Sequence, residues 1–311
     1  MTRSNPLAEL SLVNVGKRRR AIARRSLVGY GFVFPSLCFA AVFLYGPALS
    51  AVYHAFTNWD GFSPPQFIGL ENFRLLAGDP VFLQSLLNVV KLAGWGVLVE
   101  LTVPLLVARL IFGLRSFVAQ YWMRMVFVVP LVVPTVVFVL VWGFFYSPLG
   151  GLIDALLHGV GLGALARPWL GDPNTALYAI MFMGFPWVDG FGLLIYTAGL
   201  QAIPDEVREA ADMDGASKLR RFFRIELPLL SGQLRLLLVL TVINTLSTFT
   251  QVLILTNGGP GNATILPGLV IYQDAFLNQQ FGYASAIGVV VFALTLVVNV
   301  AITRILRPVE F

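Results

Sequence analysis

Charge is what this 311-residue chain has least of: Asp, Glu, Lys and Arg make up 12% of it, about half the share of a soluble globular domain. Cysteine is almost absent. The single Cys38 lies in an apolar run and has no partner for an internal disulfide, so cysteine usage says nothing of the redox compartment. The two histidines, His54 and His158, are far apart in sequence and have no cysteines beside them, which leaves no metal-ligating cluster. Missing too are a glycine-rich phosphate loop closed by Lys-Ser or Lys-Thr, a His-Glu-x-x-His zinc motif and a Gly-x-Ser-x-Gly nucleophile turn. Gly159-Val160-Gly161-Leu162-Gly163-Ala164 has the letters of a dinucleotide fingerprint, but no strand precedes it and no strand-helix-strand unit surrounds it. The chain therefore offers no catalytic, cofactor-binding or metal residues, and it cannot cradle ATP phosphates on its own.

Apolar residues fill the space that charge leaves. With 57% hydrophobic residues and a mean hydropathy of +0.80, the chain reads as an all-α integral membrane protein. Helices are the form in which a segment satisfies its own backbone in a bilayer. Six runs are long enough to cross, at about 27–54, 86–112, 122–146, 175–199, 233–256 and 283–305. The first follows a polar tail, residues 1–26, whose Lys17-Arg18-Arg19-Arg20 run looks like the start of a secretory signal. The apolar stretch behind it is too long for a signal core and has no small-x-small cleavage site at a fitting end. Pro35 and Pro47 predict kinks in the first span, and Pro130 with Pro134 predicts a broken hydrogen-bond ladder in the third. In the second, Lys91 reads as a snorkelling cation and Glu100 as a carboxylate bonded inside the bundle. Residues 56–85, 147–174 and 257–281 read as external loops, the second carrying a short surface helix.

Six crossings would put both termini and the polar insert between spans four and five on the same side. The tail, the connection bearing Arg109, Arg115 and Arg124, the insert region and the C-terminus hold eighteen of the 21 Lys and Arg residues; Arg74, Lys91 and Arg167 fall on the other side. Cytoplasmic connections carry the basic excess, so both termini are expected to be cytoplasmic. That asymmetry also accounts for the net charge of +5, which in a soluble chain would suggest nucleic acid. No nucleic-acid partner is expected.

The insert, 204–228, is the longest strongly polar stretch between apolar runs. Pro204 suits a first helical position, and Asp205 and Glu206 follow where the positive end of a helix dipole favours acid. Val207, Ala210 and Ala211 share a narrow face of small side chains opposite Asp205, Glu209 and Asp212. Gly215 offers a left-handed turn. A second helix places Ala216, Leu219, Phe222 and Phe223 against Arg220, Arg221 and Arg224, and is expected to stop before Pro228. From the residues alone, such a knob also fits a basic amphipathic helix lying on anionic lipid.

Glu209-Ala210-Ala211, Asp214-Gly215-Ala216 and then Ile225, Leu227 and Pro228 stand in the order and spacing of the EAA loop, and in this the chain resembles the permease subunits of bacterial ABC importers. The resemblance implies a type I ABC importer permease-like bundle in the bacterial cytoplasmic (inner) membrane, with a permease domain over 27–307. It implies that Glu209, Ala210, Ala211, Asp214, Gly215, Ala216, Leu219, Phe222 and Phe223 meet a separate ATPase. The partners it implies are a second homologous permease subunit, two ATPase subunits that use ATP and Mg, an extracytoplasmic solute-binding protein and membrane lipid; the chain itself would be a transport subunit, not an enzyme. Phe67-Ile68-Gly69-Leu70-Glu71-Asn72-Phe73, Asp79-Pro80, Asn88 and the glycine-rich run 256–264 resemble the carbohydrate-uptake group. From that follow a sugar or oligosaccharide substrate, or a related polyol such as a glycerol phosphate ester, and a binding-protein contact at Gly258, Gly259 and Pro260.

Depth singles out a substrate path. Asp189 lies about ten residues from the insert end of span four and Asn244 about eleven from that of span five, so at 1.5 Å per residue both come near the midplane. Trp187 could present an aromatic face to a sugar ring, Asp189 a carboxylate to its hydroxyls, and Asn244, Thr245 and Thr248 further hydrogen bonds. Trp187 and Asp189 would sit about 200° apart on an ideal helix, and Pro186 is expected to distort that angle. Two alternatives stand beside this: a structural salt bridge or helix-helix hydrogen bond for Asp189, and a secondary ion-coupled carrier relaying through Asp189 or Glu100.

Overall fold

The computed structural model describes residues 30–306; the basic tail and Arg307 lie outside the described residues. The chain divides into two units, Met1–Tyr53 and His54–Phe311. Helix α1, Tyr30–His54, accounts for the described part of the first. It runs through both of its prolines and opens into a π turn at Ala41–Tyr45, where the N–H of Gly46 reaches the carbonyl of Ala41. This wider turn ends two residues before Pro47, whose ring would otherwise press on the carbonyl four residues back.

The second unit begins with a loop pinned from inside. An isolated bridge pairs Thr57 with Phe67, and the buried side chain of Asn72 donates to the carbonyls of Ala55 and Thr57 at 2.9 and 2.8 Å. Asn72 sits on α2, Glu71–Gly78. Helix α3, Pro80–Phe112, starts earlier than its apolar run does, because Asp79 caps it, accepting from the N–H groups of Val81 and Phe82, while Pro80 fills the first turn. Its 33 residues make a rod about 50 Å long, well beyond the ~30 Å of a bilayer's hydrocarbon. Helices α4, Phe117–Val132, and α5, Thr135–Phe145, meet at 96°. The break falls where Pro130 and Pro134 predict it, with Val133 extended at φ −72° and ψ 124°, the region a following proline favours.

Helix α6, Leu152–Gly159, is the surface helix of the second loop. Span four, expected as one helix over 175–199, is instead two: α7, Ala176–Phe182, and α8, Gly190–Ala202. Between them Gly184 and Trp187 take φ of +83° and +57° and the Phe185–Pro186 bond is cis. Pro186 has no N–H for a helical ladder, and the ladder restarts only where Asp189 can cap it. The insert holds α9, Asp205–Met213, with Pro204 at its cap position instead of its first turn. It also holds α10, Lys218–Arg221, which continues through a π turn at Phe222–Glu226 into Leu227–Leu229. The helix thus passes Pro228 instead of stopping before it, again by a π turn that ends two residues ahead of a proline. Helices α11, Ser231–Ser247, and α12, Thr250–Leu255, are separated at Thr248 and Phe249. Helix α13, Pro267–Tyr272, prolonged by a π turn at Gln273–Leu277, occupies part of the stretch expected as external loop, and α14 runs Phe281–Ile305.

The described residues are thus all-α apart from that one bridge. Four helices, α1, α3, the α11–α12 pair taken together and α14, are long and apolar enough to cross a membrane, and the bent α4–α5 pair makes a fifth if it is one crossing. The remaining expected span is the divided α7–α8 segment. Two apolar cores hold the second unit. One gathers Phe82, Val89, Val139, Tyr146, Ile180, Val252, Leu269 and Ile287. The other gathers Leu105, Ala108, Ile111, Leu193, Tyr196, Leu200, Phe222 and Leu230 near the insert. Helix α3 contributes to both and packs chiefly along α8 and α11.

Candidate functional site

Between the two cores the helices do not close. A cavity of about 550 Å³ is lined from α3 by Trp95, Gly96 and Glu100, from the α4–α5 bend by Phe127, Pro130 and Phe138, and from the α7–α8 break by Gly184 through Gly190. Asn244, Thr245, Thr248 and Gln251 complete it from α11 and α12. All five residues singled out for a substrate path therefore share one space. The reason is the break. On a continuous helix Trp187 and Asp189 would point apart, whereas the non-helical turn lets both reach the cavity.

Asp189 makes no ion pair among the described residues. Its carboxylate instead accepts from the N–H groups of Phe191 and Gly192 at 3.3 and 2.5 Å, where the start of α8 exposes unpaired donors and positive dipole. Among the described residues, neither a salt bridge nor a side-chain bond to another helix holds it. Glu100 is bonded inside the bundle as expected: the Thr241 hydroxyl lies 2.7 Å from Oε2 and 2.8 Å from the carbonyl of Leu237, and shares its one proton between the two acceptors. Trp187 packs edge-on to Trp95 with centroids 5.4 Å apart and against Phe182 and Phe185. The Trp95 indole N–H donates to the Met181 carbonyl at 2.7 Å. Trp95 is thus held by a main-chain bond and Trp187 by ring contacts, the buried Trp187 indole N–H having no hydrogen-bond partner among the described residues. Gln251, a further amide in the lining, is not among the residues that depth singles out in the sequence. Trp95 was missed altogether, since nothing in its apolar run separates it from a core residue.

The insert shows two characters. Gly215 has φ +70°, the left-handed turn its position predicts, and Ser217 caps α10 by accepting from the N–H of Arg220. Glu209, Ala210, Asp214, Leu219 and Phe223 are exposed, Leu219 by 70% and Phe223 by 55%. Ala211 and Phe222 are buried, so the face expected to carry Phe222 outward is corrected: this ring lies in the second core, beside Phe223 at 5.0 Å between centroids. Ala216 is half-buried. Arg221, expected with Arg220 and Arg224 on the side opposite the apolar face, turns inward. It pairs with Asp212 at 2.5 Å and with Glu226 at 3.4 Å, and Glu226, fully buried, takes Arg109 of α3 at 2.6 Å. Arg208 lies over the Phe112 ring at 4.6 Å and donates to the carbonyl of Leu200 near the end of α8. Cations there complement the negative end of a helix. The insert is bolted to α3 and α8 by arginine side chains.

The glycine-rich turn is held by Asn88, whose side chain donates to the Ile265 and Asn262 carbonyls at 3.0 and 3.3 Å. Gly258 is buried against Ile265 and Leu269, so it shapes the turn from behind; Gly259 and Pro260 are half-buried, and Asn257, Gly261 and Asn262 are exposed.

The sequence model of the family described as binding-protein-dependent transport system inner membrane component matches residues 100–310. The probable ABC transporter permease protein YurN of Bacillus subtilis is 35% identical over 89% of this chain and 95% of its own. The diacetylchitobiose uptake system permease protein NgcF of Streptomyces coelicolor is 34% identical over 90% of this chain and 82% of its own. Among solved structures, a chain of a bacterial ABC transporter involved in the import of the acidic polysaccharide alginate superposes with a TM-score of 0.82. That alignment covers 94% of this chain and all of the other at 22% identity, a likeness of fold.

Proposed function

Since this chain belongs to the binding-protein-dependent inner membrane components of ABC transporters, we propose that it forms half of the membrane path of an importer for a sugar or oligosaccharide, driven by ATP hydrolysis on separate subunits. The observation that carries this reading is the convergence of Trp187, Asp189, Asn244, Thr245 and Thr248 on one cavity. An aromatic wall beside hydroxyl, amide and carboxylate groups suits the apolar face and polar rim of a sugar ring. The name of NgcF, an uptake permease for diacetylchitobiose, supports the substrate class.

Coupling falls to the insert. Glu209 is exposed and has no ion-pair partner among the described residues, and with Ala210, Asp214, Leu219 and Phe223 it forms a surface for an ATPase subunit that binds ATP and Mg. A second permease completes the path, and a solute-binding protein delivers to the opposite face near Gly259 and Pro260. In membrane vesicles holding the whole importer, vanadate is expected to abolish uptake, and Trp187→Ala to lower it while co-purification of the ATPase stays unchanged. Uptake that resists vanadate but collapses with an ionophore would replace this reading with an ion-coupled carrier. Unchanged affinity and rate in the Trp187→Ala variant would move the sugar site to another subunit.

A further inference from the structure

The cavity has a charge character that its size and aromatic wall do not explain. Among the described residues, the ionisable side chains that line it are two carboxylic acids, Glu100 and Asp189, and no Lys, Arg or His joins them. Lys91, a turn before Trp95 on α3, is not part of the lining. The start of α8 would be the natural place for a bound anion, because unpaired N–H groups and the helix dipole point there. Asp189 already fills it with its own carboxylate. Glu100 spends Oε2 on the Thr241 hydroxyl, and Oε1 has no hydrogen-bond partner among the described residues. As a carboxylate it is placed to accept from a hydroxyl or an ammonium. The faces of Trp95 and Trp187 carry negative quadrupole charge, which favours C–H faces and cations over anions.

We propose that this cavity passes neutral or amine-bearing glycans and rejects glycans that carry carboxylate, sulfate or phosphate groups. The proposal rests on the sugar path argued above and narrows it. A glycerol phosphate ester, chemically a polyol, drops out, because its phosphate would enter a space with no counter-charge and an occupied helix terminus. The acidic polysaccharide imported by the structural neighbour belongs to the class this lining turns away.

Reagent charge reads the selection without knowledge of the true substrate. In the assembled importer with Cys38→Ser, a Thr248→Cys side chain would be modified by trimethylammonioethyl or sulfonatoethyl methanethiosulfonate, with Asn262→Cys on the exposed turn as the reference. The cation-to-anion rate ratio at the cavity position is expected to exceed the reference ratio by about tenfold, as two carboxylates in a partly desolvated space should produce. Adding Glu100→Gln should cut that excess by about threefold or more. Protection of Thr248→Cys is then measured with maltose, the disaccharide of glucosamine and digalacturonate at equal concentration. Slower modification with either of the first two and none with digalacturonate supports the proposal. Equal ratios at the two cysteines, or protection by digalacturonate as good as by maltose, overturns it. If no sugar protects, the proposed sugar path itself fails, and this selection falls with it, whatever the reagent ratio.

Discussion

Asp189 combines two duties in one side chain, capping a helix and lining a cavity, and substitutions can separate them. Asparagine keeps the cap and loses the charge, whereas alanine loses both and should cost about 1 kcal/mol of stability. Asp189→Ala is therefore expected to lower both the thermal midpoint of the detergent-solubilised chain and uptake, and Asp189→Asn to lower uptake with its midpoint intact. An asparagine variant that imports with wild-type affinity and rate would leave Asp189 as a cap alone. Gly215 is simpler. A Cβ built there meets nothing within 4 Å, so the cost of a side chain is the positive φ itself. Gly215→Val should cost on the order of 1 kcal/mol or more at that backbone angle, while Gly215→Asn is tolerated. The valine variant is expected to reach the membrane yet fail to retain the ATPase in co-purification, and normal retention would show that the turn can be reshaped freely.

At the scale of elements, the buried Glu226 joins the insert to the long helix through Arg109 and Arg221. Removing one partner strands a charge, which in buried pairs costs roughly 3–5 kcal/mol, while replacing both by apolar residues is often neutral. Glu226→Ala should lower the thermal midpoint sharply, and Arg109→Met with Glu226→Leu should recover most of the loss. Additive effects in that pair would show that the two groups do not interact. The sequence displays little of this. Arg109 and Glu226 are far apart along the chain, and no local periodicity links them. Pro130 and Pro134 announce the α4–α5 bend and Gly215 its turn, because backbone rules act locally. By contrast the break at Thr248 and Phe249 has no glycine or proline to mark it, and the inward turn of Phe222 and Arg221 follows a π turn that a regular helical wheel does not describe. The polar composition of the cavity was visible in spans four and five, but the contribution of Trp95 and Gly96 needed the packing of α3 against them.

For the whole molecule, the basic asymmetry makes a definite expectation of which face meets which compartment. With Cys38→Ser as background, a cysteine at Lys218 is expected to resist an impermeant thiol reagent in intact cells and one at Asn262 to react. The opposite pattern would invert the topology. Both positions are exposed in the chain, so shielding by the protein's own fold does not confuse the reading.

Helix α3 belongs to both apolar cores, and this has a consequence for how the protein opens. A shared rod makes the two halves one cooperative unit, since neither can lose its packing without exposing part of the other's. Amide hydrogens in α8 and in α14 should then exchange with a common free energy, despite the cavity between their cores. Hydrogens of α9, held mainly by arginine side chains and the turn at Gly215, should exchange earlier, in a separate local opening.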